Sequence, residues 1–253
     1  MKLFTIILLL SFNSYALSNS VAAEDKGWES NVLLSIPAFD DTNDKVTGFC
    51  NGTLIDSSTL ISAAHCFVRS EVLTGVKFKI QVGEYRYIVR DGVKIKIGYK
   101  HMISHETSAK IRFLAGVNPN GTGTVAPELD IVVVKLDAPI NLPTDFAYAP
   151  LWNTTLPQLT AATAKMTIVS INFMETITHN DTKQMAVLNK FSQGRINIES
   201  TSNSRVAPGD SGAPVFAVIN GKTYLIGVVK GTVQTFGSVR DIFVTLQGRL
   251  QTN

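Results

Sequence analysis

A hydroxyl and an acid held between two glycines form the first chemical feature of this chain. Residues 207–216 read APGDSGAPVF, with Asp210 and Ser211 between Gly209 and Gly212, Pro208 before them and Pro214 after. A serine hydroxyl becomes a nucleophile only when a base accepts its proton, and the base needs a third group to fix its tautomer and stabilise it once charged. The chain has four histidines from which such a base can come. His65 lies in LISAAHCFV, after an apolar run with strand character and beside Cys66. His101 and His105 lie in the polar stretch YKHMISHETS, and His179 in TITHNDT, which resembles a turn. Those three read as surface residues. His101 and His105 are four apart, but HMISHE lacks the His-Glu-x-x-His order of a helical zinc site, so no metal is expected there.

The elements that must position these residues are strands. Residues 32–36, 53–55, 76–82, 85–89, 131–136, 166–171, 213–218 and 224–229 are short, β-branched or aromatic runs parted by Gly, Asn, Asp or Pro. Helix signals are scarce, and many short strands between turn residues read as an all-β sandwich or barrel. Residues 117–128, VNPNGTGTVAPE, have no apolar period and read as a loop. The three-proline stretch 136–151, LDAPINLPTDFAYAPL, suits a seam between two halves of similar size. Residues 246–250 suit a turn or two of helix. No internal repeat and no low-complexity tract interrupts this pattern.

Composition narrows the class. With 253 residues and 45% hydrophobic side chains the chain can bury a core. Its net charge of +3 includes no basic block that would read as a nucleic-acid footprint. Lys2, an apolar run over residues 3–12 and small residues at Ser14, Ala16 and Ser18 form the pattern of a secretory leader, residues 1–16, with cleavage after Ala16 and alternatives after Ser18 or Ala23. That run is too short to span a bilayer, and no later segment is long and apolar enough, so the mature form is expected to lack a membrane anchor. Cys50 and Cys66 are the two cysteines; in an exported chain they are expected to be bridged, and they lack the Cys-x-x-Cys spacing of a redox pair. Asn51, Asn120 and Asn153 head Asn-x-Ser/Thr tripeptides, although Asn51 adjoins the expected bridge and core.

Three separated segments resemble the trypsin-like, chymotrypsin-fold serine endopeptidases. FCNGTLIDSSTLISAAHCF, residues 49–67, is similar to the family's Cys-Gly-Gly-Ser-Leu-Ile…Thr-Ala-Ala-His-Cys segment, LDIVVVKLDAPI, residues 129–140, to its Asp-Ile-Ala-Leu-Leu-Lys-Leu segment, and GDSGAPVF to its Gly-Asp-Ser-Gly-Gly-Pro signature. They occur in the family's order, and the resemblance covers most of the chain after about residue 30. The resemblance implies two packed antiparallel six-stranded β-barrels with the active site between them, here residues 28–145 and 146–253. It implies a Ser-His-Asp triad of Ser211, His65 and Asp130, with the N–H groups of Gly209 and Ser211 forming the oxyanion hole. Asp137 competes for the third role but follows the strand where Asp130 precedes it, and is left as a surface turn residue. A histidine base implies activity that falls as pH drops through roughly 6 to 7.

The departures from the family also carry expectations. No basic residue followed by Ile-Val-Gly-Gly precedes the first strand; cleavage after Ala16 would free Leu17 to pair with Asp210, the acid beside the nucleophile. The resemblance places Arg205 at the base of the primary specificity pocket, Asp241 at another of its walls, and Lys230 with them, where Lys230 and Gly231 replace the family's Ser-Trp before a glycine. Arg205 would favour acidic substrate side chains, be neutralised by Asp241, or turn outward to solvent. Ala213 replaces the second glycine of the signature. The reading is a secreted or periplasmic monomer that hydrolyses protein or peptide substrates, with no cofactor, metal or nucleic acid. The alternative is an inactive homologue retained as a binding module, against which stand the three triad residues and Gly209. An esterase is disfavoured because a strand, not a helix, is expected after Ser211.

Overall fold

The computed structural model describes residues 30–40, 42–90, 93–121, 125–144, 146–151, 166–168, 185–187, 195–200, 206, 209–219, 222–235 and 238–245. The expected leader, Arg205, His179, Asn153 and residues 246–250 lie outside the described residues.

Seven strands make the first sheet: β1 (Asn31–Phe39), β2 (Lys45–Asp56), β3 (Thr59–Ser62), β4 (Phe78–Arg90), β5 (Val93–Thr107), β6 (Ala109–Phe113) and β7 (Val132–Leu136). Their order is β5-β4-β1-β2-β3-β7-β6, and every adjacent pair is antiparallel. β5 and β6 stand at opposite ends of this row, yet only Ser108 separates them in the chain. The row therefore curls until its ends meet through one residue. Counted as one strand bent at Ser108, β5 and β6 reconcile the seven observed strands with the six expected. The bend is held by the Asp137 N–H donating to the Ser108 carbonyl at 3.0 Å and by Ser108 Oγ donating to Asp137 Oδ2 at 2.6 Å. Asp137 is thus an exposed turn residue, as its place after the strand implied.

β1 reads NVLLSIPAF and is buried over its first residues because β4 and β2 flank it on either side. Pro37 falls beyond Ser35, where the pairing with β4 has ended, so its missing N–H interrupts no bond on that side. β7 buries Val132, Val134 and Leu136 and exposes Lys135, the alternation of a strand with one face on the core. Leu34, Leu60, Phe67, Phe78 and Ile80 close this core, with the Phe67 and Phe78 rings edge-to-face at 5.9 Å. Runs 76–82 and 85–89, expected as separate strands, join in the single long β4, which starts at Phe78 and leaves Val76 and Lys77 before it.

The second sheet comprises β8 (Met166–Ile168), β9 (Met185–Val187), β10 (Arg195–Ser200), β11 (Pro214–Ile219), β12 (Lys222–Thr235) and β13 (Ser238–Thr245), in the order β8-β11-β12-β13-β10-β9. All its pairs are antiparallel too. The molecule is all-β, consistent with the two-barrel chymotrypsin-like fold. The pairing of β12 with β13 shifts between Val229 and Gly231, so Lys230 is the extra residue of a β-bulge.

The connector between the sheets is pinned to both. Ala149 N–H donates to the Leu54 carbonyl at 3.2 Å, and Leu225 N–H to the Pro150 carbonyl at 2.8 Å. Beneath it, Ile61 and Ile131 from the first half meet Phe216, Leu225 and Val228 from the second in one buried cluster. The seam where the two sheets meet is therefore packed with apolar side chains, and the residues singled out for chemistry stand beside it.

Candidate active site

His65 is carried by a single turn of 3-10 helix, Ala64–Cys66, that follows β3 directly. Ala63 and Ala64 are fully buried, so only small side chains fit under this turn. Cys66 is bonded to Cys50 of β2, with Cα atoms 6.4 Å apart, as the cysteine count led us to expect. A bridge closing a loop of this length contributes about 3 kcal/mol, chiefly by restricting the unfolded chain.

Asp130 arrives from the neighbouring strand, since it precedes β7, which pairs with β3. It sits between the 3-10 turn Pro127–Leu129 and β7, and its side chain is wholly buried. Oδ1 accepts the backbone N–H of His65 at 2.8 Å, and Oδ2 lies 2.8 Å from His65 Nδ1. One carboxylate thus holds both the backbone and the ring of the histidine. Burial by itself pushes the Asp130 carboxyl up; the hydrogen bond from the His65 ring, the charges of His65 and Lys230 and the His65 backbone N–H outweigh it and leave the group below the ordinary carboxylate range. An ionised carboxylate only accepts hydrogen bonds, so the ring proton resides on Nδ1 and Nε2 carries the lone pair. The His65 side chain is 33% exposed. Its Nε2 has Cys66 Sγ 3.9 Å away, too far to engage that lone pair strongly.

The Ser211 turn is fastened to the strands that lead to His65. The Ser211 carbonyl accepts the Asn51 N–H at 2.7 Å, and the Gly209 carbonyl accepts Asn51 Nδ2 at 2.8 Å. Asn51 itself is fully buried, with its own carbonyl taking the Ser62 hydroxyl at 2.6 Å. Across the turn, Gly212 N–H donates to Val229 and Ala213 N–H to Asp210, whose residue is buried. Covalent and hydrogen bonds therefore run from Ser211 through Asn51 to Cys50, across the bridge to Cys66, and so to His65.

Both glycines of the motif are required by geometry. Gly209 has φ +100° and open space where a Cβ would stand, so a group approaching this turn meets no side chain there. Gly212 has φ +78°, and a Cβ on it would run into the Asn51 carbonyl and the Ser62 hydroxyl. Pro214 opens β11, a place where its missing N–H is tolerated.

Lys230 does not stand apart from this group. Its Nζ donates to Asp130 Oδ2 at 3.1 Å and to the Val125 carbonyl at 2.7 Å. Asp241 occupies β13, paired with Ile198 of β10 and Thr232 of β12; its side chain lies outside the described residues. Among the other histidines, half-buried His105 has Nε2 3.2 Å from the Ala138 carbonyl, and His101 pairs with Gly83 in the β4–β5 hairpin. Cys50, His65 and Cys66 form the one group with metal-like spacing among the described residues, but both sulfurs are committed to the disulfide.

The sequence reading missed two contacts. Asn51 was read for its glycosylation tripeptide, whereas its buried side chain holds the Gly209 carbonyl. Lys230 was read toward the specificity pocket, and the signal for its partner lay in LIGVVKGT, where one cation in a buried run needs a counter-charge.

A family model described as trypsin matches residues 33–245. Two proteins of Gallus gallus, trypsin I-P1 and trypsin I-P38, are each 26% identical to this chain, over 42% of this chain and 42% of their own length. The aligned part thus spans less than half of the curated relatives it matches.

Proposed function

The chain belongs to the trypsin family, and on that premise we propose that it is a secreted serine endopeptidase working through Ser211, His65 and Asp130. The observation that carries this reading is the doubly bonded Asp130–His65 pair, with the Ser211 turn tied to the same strands. In the proposed reaction Ser211 Oγ attacks the carbonyl carbon of a peptide bond while His65 Nε2 takes its proton. The carbonyl oxygen, now negative, is received by the N–H groups of Gly209 and Ser211. The imidazolium, steadied by Asp130 through Nδ1, returns the proton to the leaving amine, and the C–N bond breaks. Water then attacks the acyl carbon while giving a proton to His65, and His65 passes that proton to Ser211 Oγ as the acyl–oxygen bond breaks, which frees the acid and restores the starting state.

The finer expectations follow from the same premise. Residues 28–145 and 146–253 act as two barrels, supported by two sheets that share no strand. Export is supported by the disulfide and by the leader pattern of residues 1–16. No helix among the described residues is long and apolar enough to cross a membrane. Leu17 as a new terminus is assigned to Asp210, and Arg205 and Asp241 to the specificity pocket; N-terminal sequencing of active protein and peptide libraries test these in turn.

The decisive experiment is labelling with a fluorophosphonate probe. Wild type is expected to label, and Ser211→Ala to lose both labelling and about a 10⁶-fold share of turnover, by the subtilisin precedent. A folded wild type that fails to label would replace this reading with that of a binding module.

A further inference from the structure

Lys230 departs from the resembling family in charge as well as size. The uncharged serine expected at this position is replaced by a cation, and the bulge in β12 makes this residue the unpaired one of its ladder. Its ammonium crosses from the second sheet to the loop before β7, where it binds the Val125 carbonyl and the Asp130 carboxylate together. The side chain is only 20% exposed and Asp130 is fully buried, so water screens this pair weakly. The oxygen that it reaches, Oδ2, is the same one that faces His65 Nδ1.

We propose that Lys230 is a positioning residue that sets the pH at which His65 takes up its proton, by competing with the imidazolium for Asp130 Oδ2. This rests on the peptidase reading only for its catalytic meaning; the electrostatic relation stands on the three side chains alone. With Lys230 and Asp130 ionised and His65 neutral, the cluster carries no net charge, and protonating His65 makes it positive in a partly buried place. Without the lysine the same step takes the cluster from negative to neutral, which costs less. A cation at position 230 therefore makes protonation of His65 more costly than a neutral side chain at the same place would. The charged partners of Asp130 are His65 on the turn after β3 and Lys230 on β12. Asp210 on the Ser211 turn is the other buried carboxylate of the site and is unchanged in every variant below.

The test follows His65 by proton NMR in the Ser211→Ala background, which needs no turnover. Replacing Lys230 by Met keeps the stem and removes the charge, and the ring titration is expected to move up by about one pH unit. Lys230→Arg keeps a cation and is expected to restore the midpoint. In the enzyme with Ser211 intact, the acid limb of fluorophosphonate labelling is expected to move by the same amount. If Lys230→Met does not fold, Lys230→Gln supplies an uncharged comparison that still donates to Val125. A folded neutral variant whose His65 titrates where the parent does, or lower, overturns the proposal. If wild type does not label while the neutral variant still shifts the ring titration, the peptidase reading fails and the assignment of Lys230 holds.

Discussion

Asn51 and Gly209, 158 positions apart, are joined by a hydrogen bond of 2.8 Å from the Asn51 amide to the Gly209 carbonyl. The amide side chain comes from β2, whose backbone at the same residue also binds the Ser211 carbonyl. One residue of the first sheet thus fixes the Gly209–Asp210 and Ser211–Gly212 peptide planes, which flank the Asp210–Ser211 plane carrying one of the N–H groups assigned to the oxyanion.

Asn51→Ala is expected to loosen the Gly209–Asp210 peptide plane, and through it the orientation of the neighbouring donors, while sparing the backbone bond to Ser211. The Gly209 carbonyl is partly buried, so losing its partner costs about 1 kcal/mol of stability. Misaimed donors act in the transition state, so kcat should fall about ten-fold with KM little changed. Steady-state kinetics with a chromogenic peptide ester, alongside thermal melts, separates the two effects. A fall in KM and kcat in parallel would argue against an oxyanion role.

Gly212→Ala is expected to prevent proper assembly of the Ser211 turn. The added methyl meets both the Asn51 carbonyl and the Ser62 hydroxyl, and φ +78° disfavours any side chain. Strain and overpacking together should cost more than about 3 kcal/mol. Gly75→Ala is the control: its φ of +90° carries the backbone penalty but nothing lies near the new methyl, so about 1 kcal/mol is expected. Urea titrations of the two variants give the comparison.

Stability should depend on Asp130 at the acid end. Its folded carboxyl titrates below the ordinary value, so its contribution is fully present above the unfolded pKa of about 3.9 and is lost as pH falls through the lower folded value. Melting temperature is expected to hold down to about pH 5 and to drop below about pH 4, with a shallower drop in Asp130→Asn. The same variant should lose about 10⁴ in kcat, because an amide can present either a donor or an acceptor to Nδ1 and no longer enforces the tautomer. An unchanged acid transition in Asp130→Asn would show that other carboxylates govern it.

How much of this was readable in the chain depends on the range of each signal. Ser211, His65 and the Cys50–Cys66 bridge announce themselves through contiguous residues whose types are demanded by local geometry: small residues under the His65 turn, a glycine where Gly212 meets β2 and β3. The strands were equally legible from β-branched runs. Their joining into the long β4 was not, because residues 83–84 look like a break until β5 pairs alongside. The curl of the first sheet at Ser108 likewise has no local mark; it is set by which strands end the row. Lys230 and Asn51 were legible as oddities, a cation in a buried run and an amide beside a bridge, but their partners lie 100 and 158 positions away. Distances of that kind are decided by the fold alone.

The Cys50–Cys66 bond has a consequence for when this molecule becomes competent. It links the neighbour of the residue gripping the Ser211 turn with the neighbour of the imidazole, so a single oxidation draws both parts of the machinery into register. On the proposed reading of an exported peptidase, a chain whose two thiols are still reduced lacks that clasp and should cut poorly until the bond has formed.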